Sequence, residues 1–212
     1  MGFNIEQLIE TAGYLGLFAI IFAESGLFFG FFLPGDSLLL TAGLLAWRGH
    51  LDLNVLLPLL FAAAVLGDNV GYWFGKKVGP PLFNREASLL FRRKNLLAAE
   101  AFYAKHGGKA IVLARFAPFI RTFVPIVAGA VQMDYRRFFL FNVLGGFLWT
   151  IGLTVLGFVI GNAFGHVEGV SKYIEIFILG VIAVSLLPAV IHAWREYRHE
   201  VFAAVRARFD GA

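Results

Sequence analysis

Arg115 and Arg121 lie in a stretch otherwise fit for hydrocarbon: Arg115-Phe116-Ala117-Pro118-Phe119-Ile120-Arg121-Thr122-Phe123-Val124-Pro125, closing at Ala128-Gly129. A charge at membrane depth is costly and marks a function by default. Six residues on an unbroken helix turn about 600°, which leaves the two side chains about 120° apart. Pro118 stands between them and breaks the helix, so the guanidinium groups can converge. A converged pair is a fork for an anion, because guanidinium is permanently charged, planar and bidentate toward phosphate oxygens. A broken helix adds free backbone N–H groups to such a site.

Carboxylates of the matching kind occur at Glu24 and at Asp36, twelve residues on, the second just after Pro34-Gly35. They can neutralise the arginines when no other anion is bound, and a buried carboxyl can also take up protons. Two uses of these charges stay open. Arg115 and Arg121 hold a phosphate while Glu24 and Asp36 provide proton coupling, or the four form buried salt bridges that only set helix register. Asp68, in Gly67-Asp68-Asn69, is a secondary candidate, either facing the same cavity or serving as a satisfied packing carboxyl.

Other chemistries fare worse. The chain has no cysteine, which excludes disulfides, thiolate metal sites and thiol catalysis. Its five histidines, His50, His106, His166, His192 and His199, are scattered and fall near predicted membrane edges or outside. No metal site is expected from them. A membrane phosphatase would want a histidine nucleophile or acid beside the arginines, so no enzyme is expected. The absence of a Gly-x-x-x-x-Gly-Lys-Ser/Thr motif argues against ATP drive, and no cofactor is expected. Trp47, Trp149 and Trp194 read as interfacial or core aromatics. Gly145-Gly146, Gly157 and Gly161 read as close helix packing and not as a phosphate cradle.

These groups need a membrane scaffold. Hydrophobic residues make up 59% of the 212 and charged residues 15%. A soluble domain runs about 45–50% and about 25%. The chain is therefore expected to be an all-α polytopic membrane protein with about four transmembrane helices, two opposed re-entrant helical hairpins in an inverted repeat, and a cytoplasmic amphipathic helix. Residues 1–12 are read as a short interfacial helix and 13–33 as a span. Residues 31–47 are broken at Pro34-Gly35 and too short to cross, since a crossing helix needs about 20 residues. Residues 48–52 form a polar turn, 55–74 a second span stopping at Lys76-Lys77, and 110–130 a second broken segment with Pro118 and Pro125 as its breaks. Gly107-Gly108 closes the polar segment before it, in which Leu89/Leu96 and Leu90/Leu97 suggest a helix. Residues 138–165, without a charge, are a span, as are 177–194. Read as one membrane domain over 1–212, the chain has a first repeat at about 13–77, a connector at 78–109, a second repeat at 110–165, a last helix at about 173–194 and a basic tail at 195–212.

The net charge of +4 speaks to topology and anionic lipid, with no nucleic acid implied. With the 76–109 connector inside, fourteen of the eighteen basic residues fall inside, provided that 31–47 dips in from outside and 110–130 from inside. Both termini are then cytoplasmic, and the first span serves as an uncleaved insertion signal. A shift of 86 residues carries Ala42-Gly43 onto Ala128-Gly129, Gly71 onto Gly157 and Gly75 onto Gly161, as an inverted repeat of the transporter kind would.

The residues Phe22-Ala23-Glu24-Ser25-Gly26-Leu27, Phe32-Leu33-Pro34-Gly35-Asp36-Ser37-Leu38-Leu39, Gly67-Asp68 with Gly71-Tyr72, and Lys105-His106-Gly107-Gly108-Lys109 carry a family resemblance, and the Arg115-to-Gly129 motif is the most specific of them. Together they resemble the DedA family of bacterial membrane proteins, within the wider group named for SNARE-associated or VTT domains. The resemblance covers nearly the whole chain. It implies two opposed re-entrant hairpins meeting mid-membrane, and translocation of a phosphate lipid, most plausibly undecaprenyl phosphate, across the bacterial inner membrane. It further implies links to the proton gradient, to envelope integrity and to resistance to cationic antimicrobials. The family's two acidic and two arginine positions match Glu24, Asp36, Arg115 and Arg121 without departure. The partners so implied are anionic phospholipid or polyprenyl phosphate, protons and membrane lipids, with a homo-oligomer left open. A proton-coupled exchanger of small solutes and a general phospholipid scramblase are the alternatives.

Overall fold

The computed structural model describes residues 5–27, 33–83, 108–166, 172–173 and 176–180. The connector at 84–107, with its leucine repeat and His106, and most of the last span and the basic tail lie outside the described residues. Seven α-helices carry the described fold: α1 (Ile5–Gly26), α2 (Gly35–Trp47), α3 (Leu53–Phe83), α4 (Lys109–Ala114), α5 (Pro118–Ala130), α6 (Tyr135–Gly146) and α7 (Gly152–Phe164). A π-helical turn, Phe147–Ile151, joins α6 to α7. Among the described residues there is no strand.

Among the described residues two helices are long and apolar enough to cross a membrane: Leu53–Val78, of 26 residues, and Tyr135–Phe164, of 30. At 1.5 Å per residue the shorter measures about 39 Å, more than a hydrocarbon core of about 30 Å. The apolar stretches Gly13–Gly26, Gly35–Trp47 and Ile120–Ala130 are shorter. Large apolar side chains such as Leu66, Trp73, Leu140, Leu148 and Leu156 stand on the outside of the bundle.

Several expected boundaries move. The interfacial helix expected over 1–12 and the following span are one helix, α1, which stops at Gly26 instead of running on to residue 33. Gly26 meets Gly67 of α3 backbone to backbone: a Cβ on Gly26 would lie 2.7 Å from the Gly67 carbonyl oxygen. The helix expected to stop at Lys76-Lys77 continues to Phe83. Lysine ends a hydrocarbon segment but is a good helix former, so the helix outlasts the span. The last long helix begins at Tyr135, where the Asp134 carboxylate accepts from the Arg137 backbone N–H at 2.9 Å.

The two broken segments differ in their breaks. Pro34 precedes α2, and Gly35 is its first residue. Between α4 and α5 the chain leaves helix at Ala117, which is extended (φ −112°, ψ 103°), and Pro118 opens the next helix. A residue before proline is pushed out of the α region, and proline is well suited to a first helical turn. Pro125, expected as a further break, lies inside α5, which continues through it. A proline there forfeits a single ladder bond, to the Arg121 carbonyl, and the buried packing of α5 on α3 holds the rest.

The most extensive helix pairs are α3 with α5 and α2 with α7, followed by α1 with α3. The first two crossings share one register. Gly43 of α2 faces the Thr154 carbonyl and Phe158 nitrogen of α7, and Gly157 faces the Leu40 carbonyl. Gly129 of α5 faces the Tyr72 carbonyl and Lys76 nitrogen of α3, and Gly75 faces the Ile126 carbonyl. The short helices thus correspond at an offset of 86 residues, Leu40 to Ile126 and Gly43 to Gly129, as read from the sequence. On the long helices the matching contacts lie 82 residues apart, Tyr72 with Thr154 and Gly75 with Gly157, which corrects the alignment of Gly71 with Gly157 and of Gly75 with Gly161. Four residues turn about 400°, so a glycine one turn along occupies nearly the same face and mimics the true match. Gly161 instead makes room for the Trp47 ring.

Candidate functional site

Each charged residue singled out in the sequence sits at or beside a helix end or a glycine contact. Glu24 lies in the last turn of α1 and Asp36 in the first turn of α2. Asp68 follows Gly67, where α3 touches α1. Arg115 caps the C-terminus of α4, and Arg121 stands in the first turn of α5. The broken backbone at Ala117 allows both arginines to turn inward.

Arg121 is held by two carboxylates. Its Nη1 donates to Asp36 Oδ1 at 2.5 Å, and its Nη2 donates to Glu24 Oε1. Glu24 Oε1 also accepts from the Gly35 backbone N–H at 3.2 Å. Any Cβ at position 35 would run into the Glu24 carboxylate, which is the local reason for glycine there. Arg115 donates through Nη2 to Asp68 and, at 2.5 Å, to Asn142 Oδ1. The Asn142 amide is fixed in turn by donating to the Val65 carbonyl at 3.1 Å. Gly145 leaves the space that the Arg115 side chain fills, since a Cβ there would lie 3.1 Å from Arg115 Cδ.

Trp149 joins the two halves. Its ring lies 4.5 Å from the Arg121 guanidinium carbon and 5.7 Å from that of Arg115. Its indole N–H donates to Asp36 Oδ1 at 2.7 Å. Glu24, Asp68, Asn142, Arg115, Arg121 and Trp149 are all buried, whereas the Asp36 side chain is 40% exposed. Three carboxylates therefore meet two guanidinium groups, with Asp36 alone open to the surroundings. Glu24 Oε2, Arg115 Nε and Arg121 Nε are buried without a hydrogen-bond partner among the described residues.

All five sequence-selected charges thus come together, but not as a symmetric foursome. Asp68, the secondary candidate, is the partner of Arg115, and both Glu24 and Asp36 belong to Arg121. Sequence reasoning missed Asn142, although an amide within a charge-free apolar span was a signal for it. It left Trp149 as an interfacial or core aromatic; the residue is buried, and nothing in its sequence context separates a core indole from one that contacts two arginines.

Among the described residues, two membrane-length helices, three shorter apolar stretches and a buried ionic cluster fit a membrane protein with a polar centre. The chain belongs to the VTT-domain family, that of DedA: the VTT domain model matches residues 33–159. It is 45% identical over 209 residues to Protein DedA of Escherichia coli (strain K12), covering 96% of this chain and 92% of that one. It is 48% identical over 195 residues to an uncharacterized membrane protein of Mycobacterium leprae (strain TN), covering 92% of this chain and 86% of the other. To the inner membrane protein YqjA of E. coli K12 it is 36% identical over 161 residues, 70% of this chain and 68% of YqjA. No solved structure matches the chain.

Proposed function

We propose that the protein carries a phosphate-bearing lipid, of the polyprenyl phosphate class, across the bacterial inner membrane and couples the movement to protons. The observation that carries this reading is the seat of Arg121. Arg121, in the first turn of α5, is held between Asp36, in the first turn of α2, and Glu24, and the Asp36 side chain is reachable from outside. Helix N-termini carry partial positive charge and favour an anion, and broken helices in transporters aim them at anionic substrate groups. A headgroup phosphate would displace carboxylates from Arg121 and Arg115. The third carboxylate, in excess over the two guanidinium groups, is the natural place for a proton.

The same reading gives the topology. α2 has 13 residues and α5 has 13, about 20 Å each at the helical rise, short of the about 30 Å needed to cross. We take 31–47 and 110–130 as re-entrant elements entering from opposite faces, with both termini cytoplasmic. The shared register of the α2–α7 and α5–α3 crossings supports a repeat, and the distribution of basic residues supports its inversion.

The test uses purified protein in proteoliposomes with labelled polyprenyl phosphate and labelled phosphatidylcholine, with and without a pH gradient. Gradient-stimulated movement of the phosphate lipid alone is expected. Equal movement of both lipids would make the protein a scramblase. Proton-coupled movement of a small solute without lipid movement would overturn the lipid reading.

A further inference from the structure

Two donors converge on one oxygen in the cluster. Arg121 Nη1 reaches Asp36 Oδ1 at 2.5 Å and the Trp149 indole N–H reaches the same atom at 2.7 Å. The donors are buried, with Arg121 7% and Trp149 1% exposed, while the acceptor's side chain is 40% exposed. The acceptor is therefore the member free to leave. If Asp36 swings out, two buried donors, one of them charged, lose the acceptor they share, and an unsatisfied buried donor is strongly disfavoured. Its departure requires another anionic oxygen in its place. Arg121 binds Glu24 separately, through its other terminal nitrogen.

We propose that Trp149 is a direct ligand of the transported headgroup, its indole N–H donating to the anionic oxygen that replaces Asp36 Oδ1, and that Asp36 is the internal anion occupying this seat between substrates. The inference rests on the phosphate-lipid reading above. The backbone agrees with it. Trp149 is carried on the π-helical turn Phe147–Ile151, a widened turn of the kind found mostly at functional sites. A regular α-helical turn would satisfy a core indole as well. The wide turn aims this one between both guanidinium groups, with the ring face toward the cations and the edge toward the anion. The indole N–H only donates, and the Arg121 guanidinium beside it carries a full positive charge, so the seat favours an anionic oxygen. Monoanionic or dianionic phosphate qualifies, and a neutral polyprenol hydroxyl does not supply the charge that Arg121 requires.

The experiment measures binding to full-length protein in detergent micelles, by calorimetry, of a short-chain isoprenyl monophosphate, the matching isoprenyl alcohol and inorganic phosphate. Trp149→Phe keeps the ring for the arginines and removes the N–H. Asp36→Ala vacates the seat. Trp149→Phe is expected to weaken the isoprenyl phosphate about tenfold, and Asp36→Ala to tighten it by a similar factor. Equal binding of inorganic phosphate supports the seat with the headgroup as its whole ligand, and tighter isoprenyl phosphate supports it with a contribution from the tail. Wild-type affinity in folded Trp149→Phe would overturn the role of Trp149 and leave the phosphate reading standing. Unchanged or weaker affinity in Asp36→Ala would overturn the replacement of Asp36, and it decides the matter if Trp149→Phe does not fold. Binding of the alcohol as tight as that of the phosphate would overturn both readings.

Discussion

The Asp68–Arg115 pair decides whether the buried charges carry lipid or only hold helices together. Asp68→Leu leaves Arg115, 4% exposed, with Asn142 Oδ1 at 2.5 Å and the Trp149 ring at 5.7 Å. Removing one partner of a buried ion pair costs about 3–5 kcal/mol, and the surviving charged hydrogen bond to Asn142 keeps this variant near the lower end. Arg115→Met strands the buried Asp68 carboxylate, whose guanidinium partner is Arg115, and falls nearer the upper end. Independent effects would sum to roughly 7–8 kcal/mol, enough to unfold most proteins. The double variant Asp68→Leu/Arg115→Met removes both charges together, and such apolar replacement is often neutral or stabilising by about 1–4 kcal/mol. Its stability, measured by thermal unfolding in micelles, is therefore expected near wild type. Its transport of polyprenyl phosphate in proteoliposomes is expected to fall at least about tenfold, the loss of one charged contact. A folded double variant that transports at the wild-type rate would reduce Arg115 to a structural member and refute the two-arginine fork. A double variant as unstable as the sum of its parts would show that the pair is not the unit the geometry describes.

The remaining tests are shorter. Arg121→Lys replaces a planar fork, split between Glu24 and Asp36, by a point charge; folded yield should hold and transport should drop about tenfold or more, and full transport with lysine would undo the fork. Gly129→Val and Gly157→Val drive side chains into the Tyr72 and Leu40 carbonyls and should each lower stability by more than the about 1–3 kcal/mol typical of overpacking, because backbone cannot yield; Gly152→Ala, with nothing within 4 Å, should stabilise by about 0.5–1 kcal/mol, and equal unfolding temperatures for all three would disprove the crossing register. The natural lack of cysteine permits single-cysteine labelling in intact cells: His50→Cys should react with an impermeant thiol reagent from outside and Arg136→Cys only after the membrane is opened, with the reverse pattern overturning the orientation.

What the sequence made legible follows from cost. A charge in an apolar segment is expensive enough to be visible alone, so Glu24, Asp36, Asp68, Arg115 and Arg121 could all be found, and they do meet. Pro118 could be read as a break because its effect on Ala117 is local. Pro125 could not be distinguished from it, because tolerance of a proline inside a helix depends on what packs against that helix. The partition of carboxylates between the arginines was hidden for a related reason. It is set by where the Arg115 side chain meets Asp68 of α3 and Asn142 of α6, and no spacing along the chain records that. Helix ends at Gly26 and Phe83 moved because composition marks the edge of hydrocarbon, while hydrogen bonding and propensity mark the edge of a helix.

The glycine register and the charge cluster are two sides of one requirement. If α2 and α5, of 13 residues each, are re-entrant as proposed, their N-terminal N–H groups lie within the membrane and need partners other than water. α2 answers by giving the Gly35 N–H to Glu24, a side chain from α1. That contact holds only if the short helix is fixed along its length to a helix that does cross. Gly43 with Gly157, and Gly129 with Gly75, provide this by bringing backbone against backbone, where no side-chain rotation can loosen the fit. Rigid crossings on both sides confine the adjustable part of the protein to the place where the two short helices begin. There the one exposed acid, Asp36, faces one guanidinium and one indole N–H. On the transport reading proposed above, the protein would change state by exchanging a carboxylate for a substrate oxygen while its long helices hold the rest in place.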